Sequence, residues 1–131
     1  MFSITHIDHL VLTVKDIPTT LEFYARVLGM YAIQFKGADG TQRVALSFGS
    51  QKINLHEVGS AFKPKAQAPT PGSVDLCLIT ETNLNEVMSY VKSCDIKIIE
   101  GPVERTGATG KLLSFYIRDP DHNLIEIANT I

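Results

Sequence analysis

Two stretches decide the fold: IDHLVLTVKDIPTTLEFYARVLGMYAI, residues 7–33, and SVDLCLITETNLNEVMSYVKSCDIKII, residues 73–99. They lie over one another without gaps at a shift of 66 positions, His9 onto Asp75. Identities are few, but Leu10 and Leu12 meet Leu76 and Leu78, Tyr24 meets Tyr90, and Leu28 meets Cys94. Each copy reads as strand, helix, strand, because apolar residues recur first at period two and then at helical spacing. Further on, FGSQKINLHE from Phe48 lies over RDPDHNLIEI from Arg118 at a shift of 70, His56 onto Glu126. The difference of four (70 − 66) points to an insertion in the Gly-rich GPVERTGATGK, residues 101–111.

The chain therefore reads as one internally duplicated domain of the α+β class, built from two βαβββ modules at about 4–59 and 73–131. Residues 60–72, SAFKPKAQAPTPG, have the Pro and Ala content of a linker. The first helix is expected at about Thr19–Leu28, with Leu21, Tyr24, Ala25 and Leu28 as its apolar stripe and Gly29 closing it in the left-handed conformation. Its twin, about Leu84–Cys94, carries Leu84, Val87, Val91 and Cys94.

Composition narrows the class of function. The 131 residues suffice for one core, and 44% apolar with 20% charged residues is ordinary for a globular chain. No segment approaches the roughly 18 continuous apolar residues of a membrane span. A net charge of −2 with no cluster of Lys or Arg argues against nucleic acid as the partner. The N-terminus lacks the basic region, apolar stretch and cleavage site of a leader, so a cytoplasmic location is expected. Cys77 and Cys94 are too few for a disulfide framework and read as buried reduced thiols. The partner expected is a small molecule.

Strand parity separates two faces. One holds Leu10, Leu12, Val14, Ile53, Leu55, Leu76, Leu78, Leu113, Phe115, Ile117, Ile125 and Ile127, and is apolar enough to be the core. The other holds His9, Asn54, His56, Asp75, Ser114, Tyr116, Arg118 and Glu126. Glu126 interrupts an apolar run, and a carboxylate in such a strand is normally paired, protonated or bound to a metal. The repeat pairs His9 with Asp75 and His56 with Glu126, which places four groups of metal-ligand type at related positions. If the sheets curl toward each other, these groups converge. Imidazole and carboxylate suit zinc, nickel, manganese, cobalt or iron, with coordination positions left for water or substrate. Glu57 competes with His56, and register and parity favour His56. His122 lies in the turn DPDHN and is left out of the set.

IDHLVLTVKDI, FYARVLGM, KINLHEVG and FYIRDPDHNLIEI resemble the vicinal oxygen chelate superfamily, which includes glyoxalase I, fosfomycin resistance proteins, extradiol dioxygenases and bleomycin-binding proteins. INLHE, KPKA, PTPGS and GPVERTGATG are most similar to the group called glyoxalase domain-containing protein 5 and its bacterial relatives. The resemblance spans nearly the whole chain. It implies a cupped eight-stranded mixed sheet with helices on the outer face, one divalent ion per site and a homodimer. It also implies His9, His56, Asp75 and Glu126 as metal ligands, with Asp75 standing where glyoxalase I usually has His. The reaction it implies is glyoxalase I-like isomerisation of a chelated substrate, a thiol adduct among the candidates, with Glu126 moving the proton. Arg105, Tyr116 and Arg118 are the candidate substrate-binding residues, Arg105 lying in a loop read as mobile without ligand. Alternatives are thiol or water addition to an epoxide, ring-cleaving dioxygenation using His9, His56 and Glu126, or a metal-free binding module.

Overall fold

The computed structural model describes residues 1–60 and 62–131. Its backbone divides into two compact units, Met1–Pro71 and Gly72–Ile131. The first contains β1 (His9–Val14), α1 (Ile17–Leu28), β2 (Tyr31–Lys36), β3 (Gln42–Phe48) and β4 (Gln51–Glu57). The second contains β5 (Asp75–Ile79), α2 (Leu84–Ser93), β6 (Glu100–Thr106), β7 (Lys111–Arg118) and β8 (Leu124–Thr130). The βαβββ duplication is present, and the eight strands divide into two four-stranded sheets ordered β1-β4-β3-β2 and β5-β8-β7-β6. In each, the first strand runs parallel to the last and the other pairs are antiparallel.

Parity sorts the residues as the alternation predicts. Leu12, Val14, Ile53 and Leu55 are buried in the first unit, and Phe115, Ile117, Ile125 and Ile127 in the second. The helices cover these sides, but their stripes are rotated from those expected. α1 buries Thr20, Phe23, Tyr24 and Val27, and Ala25 is exposed; α2 buries Leu84, Met88 and Val91, and Val87 is only half-buried. Phe23 explains the rotation in α1: its ring packs edge-on against Tyr24 at 5.2 Å and offers far more area than Ala25. α1 also starts two residues early. Asp16 accepts from the Thr19 N–H (2.9 Å) as N-cap, and Pro18 suits a first turn with no N–H to spare. The Glu57 carboxylate adds a second acceptor there, taking the Ile17 N–H at 3.1 Å.

Two local features differ from the sequence reading. GPVERTGATGK is not a long loop, since residues 100–106 form strand β6 and only a short turn follows. The extra residues enter partly as a bulge between Glu100 and Val103, where Gly101 has φ +118° and lies so close to β7 that a Cβ would meet Phe115 Cα at 2.7 Å. The second feature is DPDHN, built around the buried Asp119. Its carboxylate accepts from the N–H groups of Asp121 (2.9 Å) and Asn123 (3.0 Å) and from Asn123 Nδ2 (2.9 Å). Asn123 in turn accepts from the Val74 N–H, which ties the turn to the start of β5.

Candidate functional site

The polar face of the second sheet carries most of the expected side chains. Glu126 on β8 sits between Cys77 on β5 and Tyr116 on β7 in the strand register, and Asp75 is two positions along from Cys77. The buried Ser114 hydroxyl donates to Glu126 Oε2 at 2.6 Å. This bond fixes one carboxylate oxygen. Arg105 on β6 donates through Nε to the Tyr116 hydroxyl (2.9 Å) and through Nη2 to Glu100 (3.2 Å). Asp75, Arg105, Tyr116, Arg118 and Glu126 line one hollow of about 460 Å³.

Electrostatics reflect this crowding. Burial first, then the neighbouring Glu126, pushes the Tyr116 phenol up, with the Arg105 hydrogen bond opposing. Partial burial, Glu126 and Asp75 push the Cys77 thiol up to about 11. Cys77 is itself a correction: it is exposed on the polar face, not buried, while Cys94 is half-buried. The physical reason was available in the sequence, since residue 77 is two positions beyond Asp75 and must share its face.

The first unit corrects the repeat register. His9 lies opposite Lys52, Val11 opposite Asn54 and Thr13 opposite His56. Val11 corresponds to Cys77 at the shift of 66, and Cys77 lies opposite Glu126, so the partner of Glu126 in the first unit is Asn54 at a shift of 72 (126 − 54). The shift of 70 that matched His56 to Glu126 is two residues short. The missing residues lie in the β6 bulge and in the DPDHN turn. An error of two keeps the face right and the position wrong.

His9 and His56 consequently share a face but stand four positions apart along it, roughly 13 Å at 3.3 Å per residue. Two imidazoles on one ion bring their nitrogens to about 2.0–2.1 Å from the metal, which side chains standing perpendicular to one sheet do not reach over that span. The His9 ring instead meets Asp8 at 2.9 Å, and the half-buried His56 ring packs on Phe62 at 4.9 Å between centroids. Burial, and then Arg43 and Lys65, hold the His56 pKa below the ordinary value. Glu57 turns to α1, as parity requires. At the position matched to Glu126, the Asn54 Oδ1 is buried with no hydrogen-bond partner among the described residues. Asn54 was visible on the polar face in the sequence; only the register kept it out of the ligand set. Within neither unit, among the described residues, do three His, Cys, Asp or Glu groups stand close enough to hold an ion.

Comparison with known proteins agrees with the fold. The sequence profile described as "Glyoxalase/Bleomycin resistance protein/Dioxygenase superfamily" matches residues 6–127. The chain is 59% identical over 128 residues to the virulence protein STM3117 of Salmonella typhimurium strain LT2, covering 98% of this chain and 86% of that one. The crystal structure of a Salmonella typhimurium protein of the same name superposes with a TM-score of 0.93 at 58% identity, over 99% of this chain and 100% of that one. The glyoxalase domain-containing protein RDO1 of Mycosarcoma maydis is 49% identical over 127 residues, 97% of this chain and 69% of that one. Likeness of fold alone extends to TnmS3, an antibiotic binding protein from Streptomyces sp. CB03234. Its TM-score is 0.77 at 17% identity, over all of both chains. Among the described residues no helix is long and apolar enough to cross a membrane.

Proposed function

Because the chain belongs to the glyoxalase/bleomycin resistance protein/dioxygenase superfamily, we propose that it is an enzyme of the glyoxalase type. Its reaction is proton transfer between neighbouring carbons of a small oxygen-bearing substrate, such as a thiol adduct of a 2-oxoaldehyde. The observation that carries this reading is the Glu126 carboxylate, oriented through one oxygen by Ser114 in a hollow also lined by Arg105, Tyr116 and Arg118. A general base must be held within hydrogen-bond reach of the proton it takes. Ser114 supplies the holding. Arg105, braced by Tyr116 and Glu100, and Arg118 supply positive charge for an anionic end of the substrate.

The reading includes a divalent ion, zinc, nickel, manganese, cobalt or iron. In the second unit Asp75 and Glu126 would hold it, and in the first His9 and Asn54 stand at the corresponding register positions. Imidazole, amide and carboxylate donors suit those metals. The unpartnered Asn54 Oδ1 supports it, since a desolvated acceptor without a donor is costly and a cation would satisfy it. Such an ion would polarise the substrate carbonyl as a Lewis acid. His56 is not in the set.

The test combines metal content by mass spectrometry, on protein purified without a His tag, with turnover of hemithioacetals by wild type and Glu126→Gln. Loss of about 10²–10⁴ in turnover is expected for a missing acid–base group. Unchanged turnover in Glu126→Gln would refute the assignment. A second reading is a binding module without catalysis, supported by the like fold of TnmS3, an antibiotic binding protein. It predicts ligand binding with no stoichiometric metal and no turnover. The homodimer is tested on the same sample by light scattering.

A further inference from the structure

We propose that residues 2–8 form an arm that adds as a fifth strand to the outer edge of β2 in a second copy of this chain, each copy giving its arm to the other. The stretch FSITHI, residues 2–7, alternates apolar and polar over its first four positions and is rich in β-branched side chains, the pattern of a strand with one face covered. Yet residues 1–8 lie in no helix or strand, and Phe2 is 80%, Ile4 81% and Ile7 67% exposed. The strand register gives the reason. β1 runs parallel to β4 with His9 opposite Lys52, and β4 begins at Gln51, so β4 does not extend alongside residues 2–7. The arm leaves the sheet from a fixed base, because Gln51 Nε2 donates to the Ile7 carbonyl at 2.9 Å.

A strand pattern without a sheet is complemented by an edge without a strand. β2 is last in the order β1-β4-β3-β2, and five of its six residues are exposed, a larger share than in any other strand of the chain. The outward N–H and C=O groups of such an edge pair with any strand that reaches them, and edges are normally blunted by proline, charge or a bulge. β6, the corresponding edge of the second sheet, has Pro102, the bulge at Gly101 and the charges of Glu100, Glu104 and Arg105. β2 has only Lys36, at its end.

Charge sets the direction of the added strand. Laid parallel, residues 3–8 on residues 31–36, the one acid of the arm, Asp8, comes level with the one base of β2, Lys36. Ile4 then comes level with Ala32, on the side where Ala32 faces the buried Leu46, so Phe2 and Ile4 extend the core side of the sheet. Phe2, Ile4 and Ile7 expose on the order of 400 Å² of apolar surface, at roughly 150–250 Å² for a large side chain. Two arms and the two edges that receive them come to about 1,600 Å², the size of a standard stable interface. The exchange is isologous and closes as a dimer.

The test is analytical ultracentrifugation of the full chain and two variants up to about 500 µM. Wild type should dimerise with a Kd of about 1–10 µM, and Phe2→Ser/Ile4→Ser should weaken it at least about a hundredfold. Ala32→Lys, which places a charge on the receiving edge, should do the same. All three positions are exposed, so far-UV circular dichroism should not change. The contact itself is read by NMR in a mixture of two chains, both Cys77→Ser/Cys94→Ser. One is spin-labelled at Ser3→Cys and the other carries nitrogen-15, and broadening in the second should centre on residues 31–33. This readout decides the matter even where a variant fails to fold. Wild type that stays monomeric at about 500 µM, a folded variant that keeps the wild-type Kd, or broadening centred outside β2 overturns the proposal. Glu126 enters none of these measurements, so the two readings fail separately.

Discussion

Cys77 gives the sharpest check on the Glu126 neighbourhood. The thiol is exposed, so a reagent can reach it, yet its pKa is pushed from 9.0 to about 11 by partial burial, then by Glu126 and Asp75. Only the thiolate reacts, and two pH units cut its population about a hundredfold at pH 8. A more basic thiolate is also a better nucleophile, with a Brønsted slope of about 0.4–0.5, which returns a factor of nearly ten. The net expectation is alkylation about tenfold slower than for an ordinary cysteine, with a reactivity midpoint near pH 11. The assay is iodoacetamide labelling followed by intact mass, in a Cys94→Ser background, across pH 7–11. Glu126→Gln removes the second of the three causes and leaves desolvation, so the midpoint should fall without reaching 9.0. A wild-type midpoint near 9, or one that Glu126→Gln does not move, would refute the placement of Cys77 beside Glu126. Activity plays no part in the readout, so the result stands whichever function is correct.

Three further outcomes follow from the fold. Asp119→Ala strips three donors of a buried acceptor and should cost about 3 kcal/mol, read as a lower urea midpoint with unchanged slope. Asp16→Ala removes the α1 N-cap and should lower the urea midpoint in the same measurement. His56 is an acid-sensitive group of the first unit. Its folded pKa lies below the unfolded 6.5, so the unfolded chain binds more protons and stability rises with pH through that interval. The contribution is complete above 6.5 and is lost as pH falls through the folded value. His56→Gln should therefore flatten the drop in Tm between pH 7 and 5, and a parallel drop in the variant would contradict the assignment.

How much was legible in the sequence depends on whether a property has period two or needs an absolute count. Face assignment has period two, so alternation alone puts Leu12, Ile53 and Phe115 on the core side, and Asp75, Tyr116 and Glu126 on the polar side. The gapless shift of 66 placed His9 against Asp75 because nothing is inserted between the first strands and first helices. Matching β4 to β8 needs every insertion between them, and these hide where sequence is least informative. One is a bulge opened by Gly101; the others lie in turns. Helix stripes failed for a different reason. Ala25 and Phe23 both fit a helical period, and only the competition for area against the sheet decides which is buried.

The corrected register also changes what the duplication means chemically. Under the shift of 70, each unit offered an imidazole or a carboxylate at both positions, and the two halves were equivalent donors. Under the shift of 72, the second unit keeps two carboxylates, Asp75 and Glu126, whereas the first keeps His9 and the neutral Asn54. An amide oxygen can accept from a donor or a cation but cannot take a proton at neutral pH. A carboxylate able to take a proton thus stands at only one of the two related positions, and Ser114 holds it there. On β3 the residue opposite Asn54 is Ala45, at the position that Tyr116 holds opposite Glu126, and it is fully buried and without a hydroxyl. The units share a scaffold and differ in chemistry: the polar face of the second presents carboxylates, and that of the first presents the neutral amide of Asn54 and the His56 ring.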